Sequence, residues 1–176
     1  LWVNYIYLDT DERRRFAQQS HEYLIEQVQH QNESSANMTL NFNHPVKELM
    51  WTRSGSGVSA ATPGSVGSIG GDTWLLKLNG HDRFSARDVS HFTREQVAKY
   101  HVGTPVNVGT AGALKASNDK IAVYSFALKP EEHQPSGTCN FSRIDNAQLI
   151  TTATAAATHV YAVNYNVLRI MSGMGG

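Results

Sequence analysis

Apolar and polar residues alternate along much of the chain, and this alternation predicts strands. In Asn37–Asn43 (NMTLNFN) every second residue is apolar, which is the period-two pattern of a half-buried strand. Thr158–Ile170 repeats the pattern, with two tyrosines and two valines on one face. Leu1–Asp9 is apolar on both faces, so we expect a strand that is covered on both sides. Similar patterns predict strands at Val46–Arg53, Trp74–Leu78, Ile121–Leu128 and Thr138–Ile144.

Two stretches predict short helices. The segment Asp9–Glu12 offers capping oxygens and early acidic residues for a helix that continues through Arg13–Gln18. Ser90–Tyr100 begins with a capping serine and places its apolar residues on roughly one face. His21–Gln31 fits either a helix or a half-exposed strand, and the alternation of polar residues at its centre favours the strand.

Glycine and serine mark the connections. Asn79-Gly80 is a dipeptide typical of a tight turn after a strand. In Ser54–Gly71, 11 of 18 residues are glycine or serine. The segment therefore has too few apolar side chains to offset the conformational entropy lost on ordering, and we predict a surface loop. Val102–Asp119 is a second glycine-rich connection. Strands continue on both sides of Ser54–Gly71, so this loop is not a domain boundary.

These elements predict an all-β fold. Seven or eight strands with few helices and long loops favour a jelly-roll sandwich of about eight antiparallel strands. The 176 residues suit a single domain, residues 1–176, with 54–71 as its surface loop. The first residue is a leucine, and the last residues, Met174-Gly175-Gly176, directly follow an apolar strand. We therefore expect that both ends were cut from a longer chain.

Composition excludes several classes of protein. Fifteen basic residues balance 15 acidic ones, so no general electrostatic attraction to nucleic acid or anionic membrane is expected. No apolar run reaches the roughly 18 residues of a transmembrane helix. Cys139 is the only cysteine, which excludes an internal disulfide framework and a multi-cysteine zinc site.

Motifs that would carry enzymatic chemistry are weak or incomplete. Gly55–Ala60 matches a dinucleotide-binding glycine pattern, but Thr62-Pro63-Gly64 follows where a helix is required. No two of the eight histidines lie three to five residues apart, the spacing of a local metal site. Glu131-Glu132-His133 is the best acid and base cluster, yet it follows Pro130 in what should be an exposed turn. We therefore predict no catalytic residue, no metal ligand and no cofactor.

The single basic run has acidic neighbours. Arg13-Arg14-Arg15 follows Asp11 and Glu12, so its charge is largely cancelled locally. Ion pairs within the chain or between subunits are favoured over phosphate binding, because opposed charges fix the register of an interface. These five residues are the predicted intersubunit contact.

Several longer strings resemble the major capsid proteins of large eukaryotic double-stranded DNA viruses, of the iridovirus and phycodnavirus type. The resemblance covers nearly the whole chain except Ser54–Gly71 and Val102–Lys120, in the family's order. The strings are Tyr5–Gln18 (YIYLDTDERRRFAQ), His21–Gln27 (HEYLIEQ), Leu40–Leu49 (LNFNHPVKEL), Leu78–Ser85 (LNGHDRFS), Tyr124–Asn146 (YSFALKPEEHQPSGTCNFSRIDN) and Tyr161–Gly176 (YAVNYNVLRIMSGMGG).

The resemblance implies a structural function without a reaction. Members of this family carry two consecutive jelly rolls, and this chain is similar to the second, carboxy-terminal one. They form trimeric, pseudo-hexagonal capsomers that build an icosahedral shell around an internal membrane, assembled in the cytoplasm of the host cell. The implied partners are two further copies of the chain, neighbouring capsomers and minor capsid proteins, without direct contact to nucleic acid.

Two other classes of function remain open from the residues alone. A jelly-roll carbohydrate-binding module would use exposed aromatic rings, for which Trp51 and Trp74 are candidates, although the leucines around Trp74 favour burial. A metal enzyme with a related barrel would need three histidines that converge inside it.

Overall fold

Antiparallel strands form two sheets in the computed structural model, which describes residues 1–54, 66–67, 69, 72–102, 121–152, 157–171 and 174–175. Strands are numbered in chain order. The first sheet contains β1 (His21–Glu33), β3 (Pro45–Ser54), β4 (Val66–Gly67), β8 (Ile121–Ser125), β9 (Cys139–Asn140), β11 (Thr158–Met171) and β12 (Met174–Gly175). The second contains β2 (Asn37–Leu40), β5 (Thr73–Leu78), β6 (His81–Asp82), β7 (Arg87–Asp88) and β10 (Ala147–Thr151).

The order of the strands is that of a jelly roll. In the first sheet β11 lies between β1 and β3, and β8 pairs with the other edge of β3. In the second sheet β10 lies between β2 and β5. The longer strands β1, β2, β3, β5, β8, β10 and β11 alternate between the two sheets at every step along the chain. The predicted all-β sandwich with jelly-roll connections is therefore confirmed.

The core lies between the two sheets. Trp51 on β3 faces Trp74 on β5, with ring centroids 5.4 Å apart, and Phe92 packs on Trp51 at 5.1 Å. All three side chains are buried. Around them lie the other buried residues of the core cluster that belong to the facing strands: Met38, Leu40, Val46, Leu49, Leu76, Ala122, Ala147, Leu149, Val160 and Ala162. Burial of these side chains on the inner faces produces the alternation from which the strands were predicted.

Two helical regions accompany the strands. Helix α1 spans Thr10–Gln18, and the Asp9 carboxylate caps it by accepting from the Glu12 amide at 2.9 Å. A π-helical turn, His91–Glu95, leads into the short helix α2, Gln96–Tyr100. Ser90 was predicted to cap this region, but its side chain makes no capping hydrogen bond. Asp88 accepts from the Ser90 amide at 2.9 Å instead, and hydrogen bonds from Ser90 lower the pKa of this carboxyl group.

The predicted strand Leu1–Asp9 is wrong. Residues 1–9 have no regular secondary structure, and side chains such as Trp2, Ile6 and Tyr7 are almost wholly exposed. A strand needs a neighbour for its backbone groups, and no strand within the described residues pairs with this segment.

The predicted strand Thr138–Ile144 also ends early. The Asn140 side chain accepts from the Ser142 amide at 3.0 Å and turns the chain into a 3₁₀ turn, Phe141–Arg143. Phe141 is buried by this turn rather than by the pleat of a strand. The strand β10 was not predicted, because its AQLIT sequence is short and lies next to the turn.

The structure confirms the predicted tight turn and describes only a small part of the two predicted loops. Asn79 and Gly80 both have positive φ, 51° and 79°, and connect β5 to β6, as the dipeptide predicted. Most of the predicted loop Ser54–Gly71, and of the connection Val102–Asp119, lies outside the described residues. Of Ser54–Gly71, the pair Val66–Gly67 forms β4 against β3, and Ile69 is buried in the core. None of the helices in the described ranges is long and apolar enough to cross a membrane.

Candidate assembly surface and buried polar cluster

Helix α1 carries the predicted contact residues on an exposed surface. Asp11, Glu12 and all three arginines of the basic run are exposed. Arg14 lies 3.5 Å from Asp11, with 61% and 79% of the two side chains exposed, so the pair contributes little to stability. Arg13 and Arg15 have no ion pair with any residue that the structure describes. The basic run is therefore accessible.

Aromatic contact holds α1 against the sheet. The Phe16 ring packs on His21 of β1 with centroids 4.7 Å apart, and the His21 Nε2 lies 3.2 Å from the Arg15 carbonyl oxygen. This attachment fixes the helix at the end of the ribbon formed by β1 and β11. The position of the charged residues is thus set by the sheet.

Apolar side chains are also exposed before α1 and on the ribbon of β1 and β11. In residues 1–7 the rings of Trp2, Tyr5 and Tyr7 are exposed. On the ribbon, the cross-strand partners Leu24 and Val167 are 40% and 52% exposed. Exposed apolar side chains of this size are typical of a surface that another protein segment covers.

Two glutamines of β1 join the edges of the two sheets. The Gln29 amide donates to the Asn43 carbonyl at 2.6 Å and accepts from the Asn43 amide at 3.1 Å. Gln31 similarly donates to the Thr39 carbonyl at 2.5 Å and accepts from the Asn41 amide at 2.9 Å. Both side chains take the place of a backbone partner for residues 39–43. We call Gln29 and Gln31 the glutamine clasp.

A bulge turns two charged residues of β3 to the outer face of the first sheet. Val163 pairs with Glu48, and the next residue, Asn164, pairs with Val46, so Lys47 is the extra residue of a β-bulge. The bulge leaves Lys47 and Glu48 both buried, 2% and 6% exposed, between the apolar neighbours Val46 and Leu49. The segment after β8 covers them, since the amides of residues 126 and 127 both donate to the Lys47 carbonyl.

Lys47 is paired beneath this cover. Its Nζ lies 2.6 Å from Glu26 Oε1 on β1 and 5.4 Å from the centre of the Tyr165 ring. Glu26 also faces His133, 3.4 Å away. Burial alone would raise the pKa of Glu26, but the hydrogen bond and charge of Lys47, with help from His133, lower it below its ordinary value. Glu26 therefore stays ionised and neutralises the buried lysine.

Glu48 has a different partner. His101, directly after α2, places Nε2 2.9 Å from Glu48 Oε2, but the ring is turned so that neither atom has a well-aligned hydrogen bond. The other ring nitrogen lies 3.1 Å from Glu131 Oε1. Burial raises the pKa of Glu48, and the positive charges of His101 and Lys47 offset part of this effect. The side chains of Glu26, Lys47, Glu48, His101, Glu131 and His133 are together called the polar cluster.

The sequence pattern did not predict this cluster. Glu131 and His133 were expected in an exposed turn, and Glu26, the Lys47-Glu48 pair and His101 are separated from one another by 20 residues or more. One local signal exists: a lysine and a glutamate stand side by side within an apolar strand, where one of them would be expected to face the core.

Comparison with known proteins identifies the family. The model of the family described as large eukaryotic DNA virus major capsid protein matches residues 12–63 and 72–176. The chain belongs to this family. The major capsid protein of Pyramimonas orientalis virus is 52% identical over 191 residues, covering 100% of this chain and 47% of that protein. That of Paramecium bursaria Chlorella virus 1 is 40% identical over 241 residues, covering 100% and 52%.

Solved structures agree with the membership of the capsid family. A quasi-atomic model of the Paramecium bursaria Chlorella virus 1 capsid matches with a TM-score of 0.73 and 38% identity, over 98% of this chain and 55% of that one. The Faustovirus major capsid protein, at 12% identity and a TM-score of 0.56, shares the fold. The chain spans about half the length of the curated relatives it matches.

The alternative functions find little support in this capsid-family chain. Trp51 and Trp74 are 1% and 0% exposed, so these rings offer no platform to a sugar. His30 and His159 meet across the first sheet at 3.0 Å, stacked beside Tyr161. Within the described ranges no group of three or more histidine, cysteine or acidic side chains has the geometry to hold a metal ion. Burial raises the pKa of the Cys139 thiol, which disfavours the reactive thiolate.

Proposed function

We propose that this chain forms part of the shell of an icosahedral virus with a large DNA genome. The observation that carries the proposal is the match of 98% of the chain to a virus capsid structure, together with membership of the major capsid protein family. A shell protein needs rigid sheets and exposed contact surfaces, and the two-sheet sandwich with its accessible helix α1 supplies both.

The chain is proposed to be one of two jelly rolls in a longer capsid protein, the carboxy-terminal one. Its relatives are about twice as long as the region matched. The apolar side chains of residues 1–7 and of the β1–β11 ribbon support this assignment, because a neighbouring domain would bury them. Apart from Ser54, β4 and the buried Ile69, residues 54–71 are proposed to form a surface loop of this domain.

Three copies of the longer protein are proposed to form a pseudo-hexagonal capsomer, which contacts neighbouring capsomers and minor capsid proteins. The function is structural, with no catalysis and no direct contact to nucleic acid. The location that follows is the virion capsid around an internal membrane, assembled in the cytoplasm of the infected host cell.

Electron microscopy of the purified full-length protein tests the proposal. Class averages should show particles with a hexagonal outline, and mass photometry should give three times the mass of one chain. A stable monomer at concentrations of assembly would contradict it, as would stoichiometric binding of a soluble glycan to a monomer, which would favour the carbohydrate-binding alternative.

Helix α1 is proposed to contribute to contacts between subunits through Asp11, Glu12 and Arg13–Arg15. The triple variant Arg13→Glu, Arg14→Glu, Arg15→Glu should lower the fraction of trimer, because like charges at a paired surface cost free energy. Arg143→Glu, an exposed arginine on the 3₁₀ turn, is the control. An unchanged trimer mass in the triple variant would refute this role of α1.

A further inference from the structure

His101 connects three parts of the fold through its two ring nitrogens. One nitrogen faces Glu48 of β3 at 2.9 Å, and the other faces Glu131 of the segment after β8 at 3.1 Å. The same oxygen of Glu131 accepts from the Val102 amide at 2.9 Å. The two hydrogen bonds to Glu131 tie the end of α2 to the segment after β8. Toward the first sheet, the His101 Nε2 and the Glu48 Oε2 are close but not aligned as a hydrogen bond, so both are buried without a partner among the described residues.

The stability of the contacts between His101, Glu48 and Glu131 depends on how many protons the three side chains carry. A neutral imidazole carries one N–H, and its second nitrogen presents a lone pair. With both glutamates ionised and the imidazole neutral, one lone pair would therefore face a carboxylate oxygen. Only 18% of the His101 side chain and 8% of the Glu48 side chain are exposed, so water compensates poorly for that repulsion. One additional proton, on the imidazole or on Glu48, removes it.

The surrounding charges do not supply a substitute for that proton. On β3 itself the positive charge of Lys47 acts on Glu48, but the Lys47 ammonium group is already paired with Glu26 of β1 at 2.6 Å. From the segment after β8, Glu131 adds a negative charge, and His133 lies beside Glu26. From β11 the Tyr165 ring lies under the Lys47 ammonium group, 5.4 Å from its Nζ. Three carboxylates thus share one lysine and two histidines.

We propose that Glu48, His101 and Glu131 form a proton-dependent latch, in which one shared proton holds the end of α2 and the segment after β8 on the sheet and its release loosens them. The latch is a conformational device of this fold, and it does not depend on the proposed capsid function. Its closed state is favoured at mildly acidic pH, and it opens as the pH rises.

Hydrogen exchange of the protein between about pH 5 and pH 8, the range in which histidine titrates, tests the latch. The reporters are the His101 amide, bonded to the Val97 carbonyl, and the Val102 amide, bonded to Glu131. After correction for intrinsic exchange, their protection should fall with rising pH by at most about tenfold per unit, the limit for release of one proton.

The variant Glu48→Gln tests whether the contact with His101 requires the additional proton. A glutamine amide can donate to or accept from a neutral imidazole, so the latch needs no additional proton, and protection should become independent of pH. Glu95→Gln is the matched control, since it removes the carboxylate that pairs with His91 at 2.7 Å, with Glu95 70% exposed. This control should keep the wild-type pH dependence.

Two results would overturn the latch: protection of the reporter amides that does not change with pH in the wild type, or an unchanged pH dependence in Glu48→Gln. If Glu48→Gln does not fold, nuclear magnetic resonance of the wild type decides. A neutral His101 ring beside an ionised Glu48, in protein whose reporter amides are still protected, would refute the shared proton. A proton on either group at that pH would support it.

Discussion

The glutamine clasp makes a sharp prediction about stability. Gln29 makes two hydrogen bonds with the backbone of Asn43 and donates a third to Asn164 Oδ1 at 3.0 Å. Asn164 is 0% exposed, so its oxygen cannot turn to water when Gln29 is removed. At a net value of about 1 kcal/mol for each hydrogen bond, Gln29→Ala should lower the free energy of unfolding by about 2–4 kcal/mol.

Gln27→Ala is the matched control on the same strand. Gln27 makes one exposed hydrogen bond, with Asn166 at 3.1 Å, so its loss should change the free energy by less than about 0.5 kcal/mol. Gln29→Glu preserves the shape of the side chain but cannot donate to the Asn43 carbonyl, so it should destabilise as well. Urea denaturation measures all three variants. Equal midpoints for Gln29→Ala and Gln27→Ala would refute the reasoning that the clasp joins the sheets.

Three further predictions follow from buried charge, from backbone conformation and from pH. Asp72→Asn should lower the free energy of unfolding, measured by urea denaturation, by about 2–4 kcal/mol, because it leaves the buried Arg53, 2.7 Å away, without its counter-charge. Asp11→Asn, in the exposed pair with Arg14, should leave the free energy of unfolding nearly unchanged. Gly137→Ala should lower the melting temperature more than Gly80→Ala, since both have positive φ but only at Gly137 would a Cβ lie 2.9 Å from a backbone carbonyl oxygen. Burial raises the pKa of Glu48 in the folded protein above its ordinary value of about 4.5. Protonated Glu48 therefore contributes to the stability of the folded state below about pH 4.5, and this contribution is lost as the pH rises through the pKa of the folded protein. Unfolding free energies should therefore shift in favour of Glu48→Gln between pH 4 and pH 7, and a constant difference would contradict this.

Local patterns in the sequence were sufficient for most strands and for helix α1. Residues such as Met38 and Leu40 alternate with polar neighbours because one face of their strand is buried, and that period is visible without any partner. Asp9 could be recognised as a cap because the capping hydrogen bond spans only three residues. Such interactions are local, so their signal survives in a single sequence.

The two mistaken strand predictions have different physical causes. Leu1–Asp9 has the composition of a strand, but a strand exists only where a neighbour accepts its hydrogen bonds, and the pattern contains no information on that neighbour. Thr138–Ile144 alternates correctly, yet one asparagine hydrogen bond at Asn140 redirects the chain. The exposed run at Arg13–Arg15 was located, whereas its contact between subunits stays a prediction.

The all-β class, the division of the chain into strands and the family could be read from the residues alone, because periodicity and long matching strings are properties of neighbouring residues. The pairing of the strands, the place of the bulge at Lys47 and the meeting of Glu48, His101 and Glu131 emerged only in the folded chain. Those contacts join residues far apart in the chain. Their energies depend on burial and charge that arise only once the two sheets have closed on each other.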